Sequence, residues 1–220
     1  MSAFPGSPRV LKGGIVLLDP VSFTVVPNGI IVMQYNPDTV TRTLKVKGAE
    51  EGGDRSEALR LTGPAVETIK LDVEIDATDQ LENPQQNQTT VQYGISPQLA
   101  VLETLVYPTS ANLQNNYTLS QQGTLEIMPM MAPMSLFVWS ATRIVPVRIT
   151  DFSITEEAFD PRLNPLRAKV SLGLRVLSID DLFFSDKGGS LYMAYQRQKE
   201  NLARLNVPGS FGALGITGVP

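Results

Sequence analysis

The sequence predicts a mainly β protein with a few helices (α+β), and three stretches carry that prediction. From Val66 to Ala77 the chain alternates: Val66, Thr68, Lys70, Asp72, Glu74 and Asp76 share one parity, with Val66 the exception to its polarity, and Glu67, Ile69, Leu71, Val73 and Ile75 share the other. One face is therefore charged and the other apolar, the period-2 signature of a strand covered on one side. Two comparable runs, Val145–Ala158 and Leu166–Ser178, are joined by Asp160-Pro161-Arg162-Leu163-Asn164-Pro165, a connector whose residues turn the chain and do not pair. A strand the length of Val66–Asp76 extends roughly 36 Å at about 3.3 Å per residue, beyond the usual strand length. Such strands need covered edges, so pairing within an oligomer is expected.

The remaining elements follow in chain order. Residues 1–10 read as an N-terminal arm. Ile15–Leu18 and Ile30–Tyr35 are short apolar runs bounded by Gly, Pro, Asp and Asn, and predict strands of an N-terminal β meander. Gly48–Glu57, charged and Gly-bearing, and Gln80–Gln92, rich in Gln and Asn, read as loops. Pro97–Tyr107 predicts a helix with Ser96 as N-cap, Pro97 at the first helical position, and Leu99, Leu102, Leu105 and Val106 as its apolar stripe. Trp139 is expected to pack beneath a sheet. A second helix is predicted over Ser190–Leu205, following a turn at Gly188-Gly189, with Tyr192, Tyr195, Lys199, Leu202 and Leu205 along one side. Residues 206–220 form a Gly-rich tail, and with no interdomain linker or regular repeat the span 11–205 reads as one domain.

Composition narrows the chemistry. The 220 residues include no His and no Cys, the side chains that most often carry acid–base, thiol and soft-metal chemistry, so an enzyme is not expected and neither is a cofactor. A hydrophobic content of 42% suffices for a core. A net charge of −4 disfavours nucleic-acid binding, which needs a basic face. Met1–Gly14 has no continuous apolar run, and no later segment is long enough to span a bilayer, so neither a signal peptide nor a transmembrane segment is expected.

The densest acidic group is Asp72, Glu74, Asp76 and Asp79. Carboxylates so placed could bind a hard cation or pair for acid–base work, but three of them alternate with Leu71, Val73 and Ile75 and read as the polar face of a strand, and Ala77 stands where a calcium loop needs glycine. Glu156, Glu157 and Asp160 read the same way. The Gly pairs at 13–14, 52–53 and 188–189 lack a strand-to-helix phosphate-loop context and read as turns. Asn87-Gln88-Thr89 and Asn116-Tyr117-Thr118 match the glycosylation pattern by chance. Met128-Pro129-Met130-Met131-Ala132-Pro133-Met134 reads either as an apolar interaction loop or as a loop tucked on the chain's own core.

Several motifs occur in a recognisable order: Gln34-Tyr35-Asn36-Pro37, Gly63-Pro64 leading into Val66-Glu67-Thr68-Ile69-Lys70-Leu71, Pro97-Gln98-Leu99, Phe152-Ser153-Ile154-Thr155-Glu156-Glu157-Ala158-Phe159-Asp160-Pro161, Leu163-Asn164-Pro165 and Val170-Ser171-Leu172. Over Leu11–Leu205 the chain resembles the tube-type domain of contractile injection system proteins, relatives of phage-tail baseplate parts often joined to a LysM module. The resemblance implies a tail-tube-like β-barrel with long hairpins and a flanking helix, forming a homo-hexameric ring coaxial with an inner tube. It implies a tube initiator or inner baseplate component, with the inner tube protein, a second tube initiator, spike or hub and baseplate proteins as partners. Assembly in the bacterial cytoplasm is implied as well. No LysM part follows Leu205 in the sequence, so peptidoglycan binding is not carried over. Assembly or tube-wall candidates are Ile69, Leu71, Val73 and Ile75 on one face of their strand and Lys70, Asp72, Glu74 and Asp76 on the other, which could face a lumen. Phe152, Ile154, Glu156 and Glu157 in the late hairpin, and Met130 and Met131 in the Met-Pro loop, complete the set. A tube-terminating cap, a soluble β-barrel binding module and a carboxylate enzyme centred on Asp72 are the alternatives.

Overall fold

The computed structural model describes residues 11–48, 60–123 and 132–219. Its strands are β1 (Gly14–Leu18), β2 (Val25–Val32), β3 (Val40–Lys45), β4 (Val66–Asp76), β5 (Met134–Ser140), β6 (Arg143–Phe159) and β7 (Pro165–Val176). They form one antiparallel sheet in the order β2-β1-β5-β6-β7-β4-β3. The alternating run became β4, and the late pair became the hairpin β6–β7. The Asp160 carboxylate holds the intervening turn by accepting from the backbone N–H groups of Arg162 and Asn164.

The expected N-terminal meander stops after one hairpin. β3 does not lie beside β2 but at the opposite edge of the sheet, paired with β4, because the segment between them crosses from one edge to the other. Strand β2 also ends at Val32, short of Tyr35, since the residues that follow turn away to make side-chain contacts.

Strand β6 joins the two halves of the sheet. Its first residues, Arg143 to Val147, pair with β5, whereas Val147 to Phe159 pair with β7. Pro146 is fully buried at this change of partner, a position where a strand interior tolerates a residue lacking an N–H. A bulge between Ile149 and Asp151 follows, and bulges bend the strand that carries them. The two halves consequently face one another across a single core, in which Ile15 and Phe137 of one half meet Ile69, Leu71, Val73, Val170 and Leu174 of the other. Burying each such side chain contributes about 1.5–3 kcal/mol.

Helices add side chains to this core. α1 (Thr78–Leu81), α2 (Gln88–Tyr93) and α3 (Ser96–Glu103) follow β4, and α3 inserts Leu99 and Leu102 beside Ile95. Two of these helices occupy the stretch 80–92 that composition marks as loop. They form because Asn87 and Thr90 satisfy Gln80 across the turn, a local network that a hydrophobic pattern does not reveal. Gly94 between α2 and α3 has φ +58°, and a side chain there would collide with the Pro165 carbonyl, which accepts from Ile95 N–H at 2.9 Å. α3 begins one residue before the expected position, with Ile95 as N-cap, and stops at Glu103, four residues short of Tyr107.

α4 (Ser110–Gln121) was not anticipated, because it has no apolar face turned to the core. α5 (Lys187–Arg204) packs on β6 and takes Gly188 and Gly189 into its first turn, where a turn ahead of the helix was expected. Both glycines are buried there, Gly188 against Met134 and Leu182 and Gly189 against the Phe183 carbonyl. A 3-10 turn, Phe211–Leu214, follows. Trp139 is half-buried, stacked on Phe137 with ring centroids 6.0 Å apart. The N-terminal arm, most of the Gly48–Glu57 loop, and Met130 and Met131 lie outside the described residues. Among the described residues no helix is long and apolar enough to cross a membrane.

Side-chain amides hold the curl of the sheet. The Gln34 carboxamide donates to the Asp76 carbonyl at 2.7 Å and accepts from the Asp76 N–H at 3.0 Å, standing in for the peptide of a neighbouring strand. It does so where β3, whose pairing with β4 reaches only Val40↔Leu71, no longer flanks β4. Asn36 repeats the device, donating to the Leu11 carbonyl at 2.8 Å and accepting from Gly13 N–H at 2.9 Å. A backbone pair left without partners costs about 1–3 kcal/mol. Gln34→Leu is expected to lower unfolding stability by about 1–3 kcal/mol in urea titrations; a midpoint unchanged from wild type would show that the clip does not hold the sheet.

Candidate functional site

Strand pairing places the outward parity of β4, β7 and β6 in rows. Asp72 sits beside Ser171 and then Ser153, Glu74 beside Lys169 and Thr155, and Asp76 beside Arg167 and Glu157. Thr68 sits beside Arg175 and Arg148, and Lys70 beside Gly173 and Asp151. The face thus carries Lys70, Arg148, Arg167, Lys169 and Arg175 against Asp72, Glu74, Asp76, Asp151 and Glu157, an equal number of each sign.

Asp72 and Asp76 are engaged locally. Ser171 Oγ donates to Asp72 at 2.6 Å and Lys169 Nζ lies 3.2 Å away, and these contacts hold the Asp72 carboxyl below its usual range. The Thr78 hydroxyl and backbone do the same for Asp76, with Arg167 paired to it at 2.8 Å. Asp79 stands apart in α1 and accepts from the Tyr35 hydroxyl at 3.2 Å. No group of three or more His, Cys, Asp or Glu is placed to hold a metal among the described residues. At the centre of the face lies a depression of about 410 Å³ lined by Lys70, Phe152, Asp151 and Gly173, whose missing side chain leaves the room that the Asp151 side chain fills.

The opposite parity, Ile69, Leu71, Val73 and Ile75, is buried in the chain's own core. Phe152 and Ile154 are half-buried against that core, while Glu156 and Glu157 are exposed near the tip of β6. The outward carboxylates and Glu157 therefore share one surface, whereas Glu156, opposite Ala168, lies on the parity of Phe152, Ile154 and the other apolar candidates, exposed only because it is near the hairpin tip.

Two edges, β2 and β3, flank this architecture, and among the described residues no further strand pairs with either. On β2 the first half is irregular: pairing jumps from Val16↔Ile30 to Leu18↔Val25, with Pro27 and a left-handed Asn28 (φ 58°) in the bulge. Pro and bulges discourage edge pairing, so they leave Ile30–Val32 as the regular stretch of that edge. Ile30 is 64% exposed and Val32 58%. On β3 the exposed residues include Thr41, Thr43 and Leu44.

The β3 edge is anchored by a buried carboxylate that sequence reading passed over. Glu67 shares the apolar parity of β4 and is 4% exposed. It accepts from Arg42 Nε of β3 at 2.7 Å and from the Tyr195 hydroxyl of α5 at 3.0 Å, and Lys199 Nζ lies 3.9 Å away. Arg42 also donates to the Tyr195 hydroxyl at 2.9 Å, and Lys199 lies over the Tyr195 ring, 4.3 Å from its centroid. One carboxylate thereby ties edge strand, inner strand and helix together. An acid at an apolar parity was the available signal, because a buried carboxylate requires a cation and hydrogen-bond donors.

Burial, and next the Glu67 charge, push the Tyr195 hydroxyl up to about 12. The folded state therefore keeps this proton above the ordinary tyrosine value of 10.0, and the associated stability is complete below that value and lost as pH rises toward 12. The stability difference between wild type and Tyr195→Phe, measured by denaturant titration, is expected to shrink across that window; a constant difference would contradict the account. Glu67→Ala, which strands Arg42 and Lys199, is expected to cost about 2–4 kcal/mol.

No protein-family profile and no curated protein matches the sequence.

Proposed function

We propose that this chain is a structural subunit that works by edge-to-edge assembly, forming a ring coaxial with the inner tube of a contractile injection system. In this reading it is a tube initiator or inner baseplate component joining spike and tube. The observation that carries it is the pair of free, unlike sheet edges, β2 and β3, at opposite ends of one curled sheet. When β2 of one copy pairs with β3 of the next, the contact is heterologous, and heterologous contacts repeat until a ring closes or a filament grows. Ring closure also removes the edges that a lone sheet would expose to aggregation.

Two further features support this reading. The clips at Gln34 and Glu67 fix both edges to the core, so edge pairing proceeds without the cost of ordering either strand. The outward face of β4, β7 and β6 bears equal numbers of charges of each sign and few apolar groups, as suits a wetted wall along which cargo slides without being held. The tail-tube-like barrel, the six-fold symmetry and the identity of the neighbouring tube, spike and baseplate proteins come from the resemblance of the ordered sequence motifs.

Imaging and native mass of the purified chain, alone and offered to a preformed inner tube, test the proposal. Closed rings of about six copies are expected. Ile30→Lys with Val32→Lys, exposed positions whose change leaves the core intact, should abolish them. A chain that stays monomeric both alone and with the tube would overturn the reading, as would rings unaffected by the double substitution.

A further inference from the structure

Four lysines rest on an oxygen acceptor: Lys12 on the Gln34 carbonyl at 2.6 Å, Lys47 on Asp180 at 2.6 Å, Lys169 on Asp72 at 3.2 Å and Lys187 on the Phe23 carbonyl at 3.4 Å. Each contact favours the charged ammonium. Lys199 is placed differently. Its Nζ stops 3.9 Å from Glu67 Oε2, beyond hydrogen-bond distance, and lies over the Tyr195 ring instead. The Glu67 oxygens are already engaged, by Arg42 Nε at 2.7 Å and by the Tyr195 hydroxyl at 3.0 and 3.3 Å.

The charges around this lysine do not balance. One buried carboxylate of β4 faces two cations, Arg42 of β3 and Lys199 of α5. Arg143 of β6 adds positive charge near Tyr195, and Glu200, beside Lys199 on α5, is exposed and screened by water. An arginine keeps its proton in a protein, so the surplus is relieved at the lysine. Burial pulls the Lys199 ammonium below the usual lysine range; Glu67 opposes this and Arg42 reinforces it. The side chain is nevertheless 33% exposed, which leaves the amine open to a reagent in solution. A readily deprotonated amine and access from solvent are what a reactive lysine requires.

We infer that Lys199 is an acylation site, a nucleophilic amine that takes the acyl group of an acyl phosphate. The surplus positive charge around Arg42 and Lys199 favours this donor, because an acyl phosphate is a small anion. The Nζ lone pair attacks the acyl carbon, the bond from that carbon to the phosphate oxygen breaks, and the amine proton leaves with the phosphate. The product amide is uncharged, so acylation leaves Arg42 and Glu67 as a matched pair. The modification falls on the cluster that anchors β3 but is independent of the assembly reading.

Acetyl phosphate is the probe. The full chain, folded or unfolded in urea, is acetylated at a series of values from about pH 6 to 11, and Lys199 is followed by peptide mass spectrometry. Normalised to its own high-pH plateau, the Lys199 rate at about pH 8 is expected to be at least about threefold larger in the folded chain than in the unfolded one. Arg42→Met, which removes one of the two cations, should move the folded profile back toward the unfolded one. A wild-type Lys199 profile that is the same in both states, or that levels off at higher pH in the folded chain, would overturn the inference whether or not the variant folds. A folded chain in which Lys199 takes no acetyl group at any pH would overturn it as well.

Discussion

The carboxamide of Gln34 occupies the place of a missing strand. By serving both backbone groups of Asp76 it joins the end of β2 to the end of β4, so the seven-stranded sheet is held curled although its edges share no ladder. The common core, in which Ile15 meets Ile75 and Ile95, depends on that curl. Across the molecule the Glu67 cluster does the corresponding work for β3, tying it through Arg42 and Tyr195 to helix α5. Between them the two devices hold each edge strand firmly to the body, while among the described residues no strand pairs with its outer hydrogen-bonding groups.

That combination separates this protein from a sheet that merely tolerates open edges. Proteins that avoid association blunt their edges with bulges, prolines and charges, and β2 does so over Val26–Gly29 but not over Ile30–Val32. The protection is local, and the regular segment beside it is apolar and accessible. The broad face of β4, β7 and β6 differs in kind, because it interleaves charges of both signs, with Arg167 paired to Asp76 in register and Lys169 to Asp72 on the diagonal. A self-neutralised, hydrated face and two accessible edges divide the surface into a part suited to facing water and parts suited to meeting copies of the same chain.

Much of the β architecture could be read from residues. β4 was legible because charged and apolar side chains alternate for its whole length, and the β6–β7 hairpin because Pro161 and Pro165 bracket its turn. β3 and β5 were not, since neither short strand alternates strongly enough to announce itself. α1 and α2 are held by amide networks, and α4 buries nothing, so the apolar stripe that marks a helix is missing from all three. The Glu67 cluster was half visible: its carboxylate lies on the apolar parity of β4, but Arg42 is 25 residues away and Tyr195 128. Gln34 and Asn36 stood out as a motif, yet their role emerges only when their partners Asp76, Leu11 and Gly13 are brought beside them by the fold.

The claim that free strand edges carry this protein's function is tested most directly by hydrogen exchange of the backbone amides of Ile30–Val32 and Val40–Lys45, compared between the dissociated chain and the assembled particle. The account predicts that the outward-pointing amides of both segments exchange at least about a hundredfold more slowly in the particle, because a neighbouring strand now accepts from them. Equal rates in the two states would contradict it.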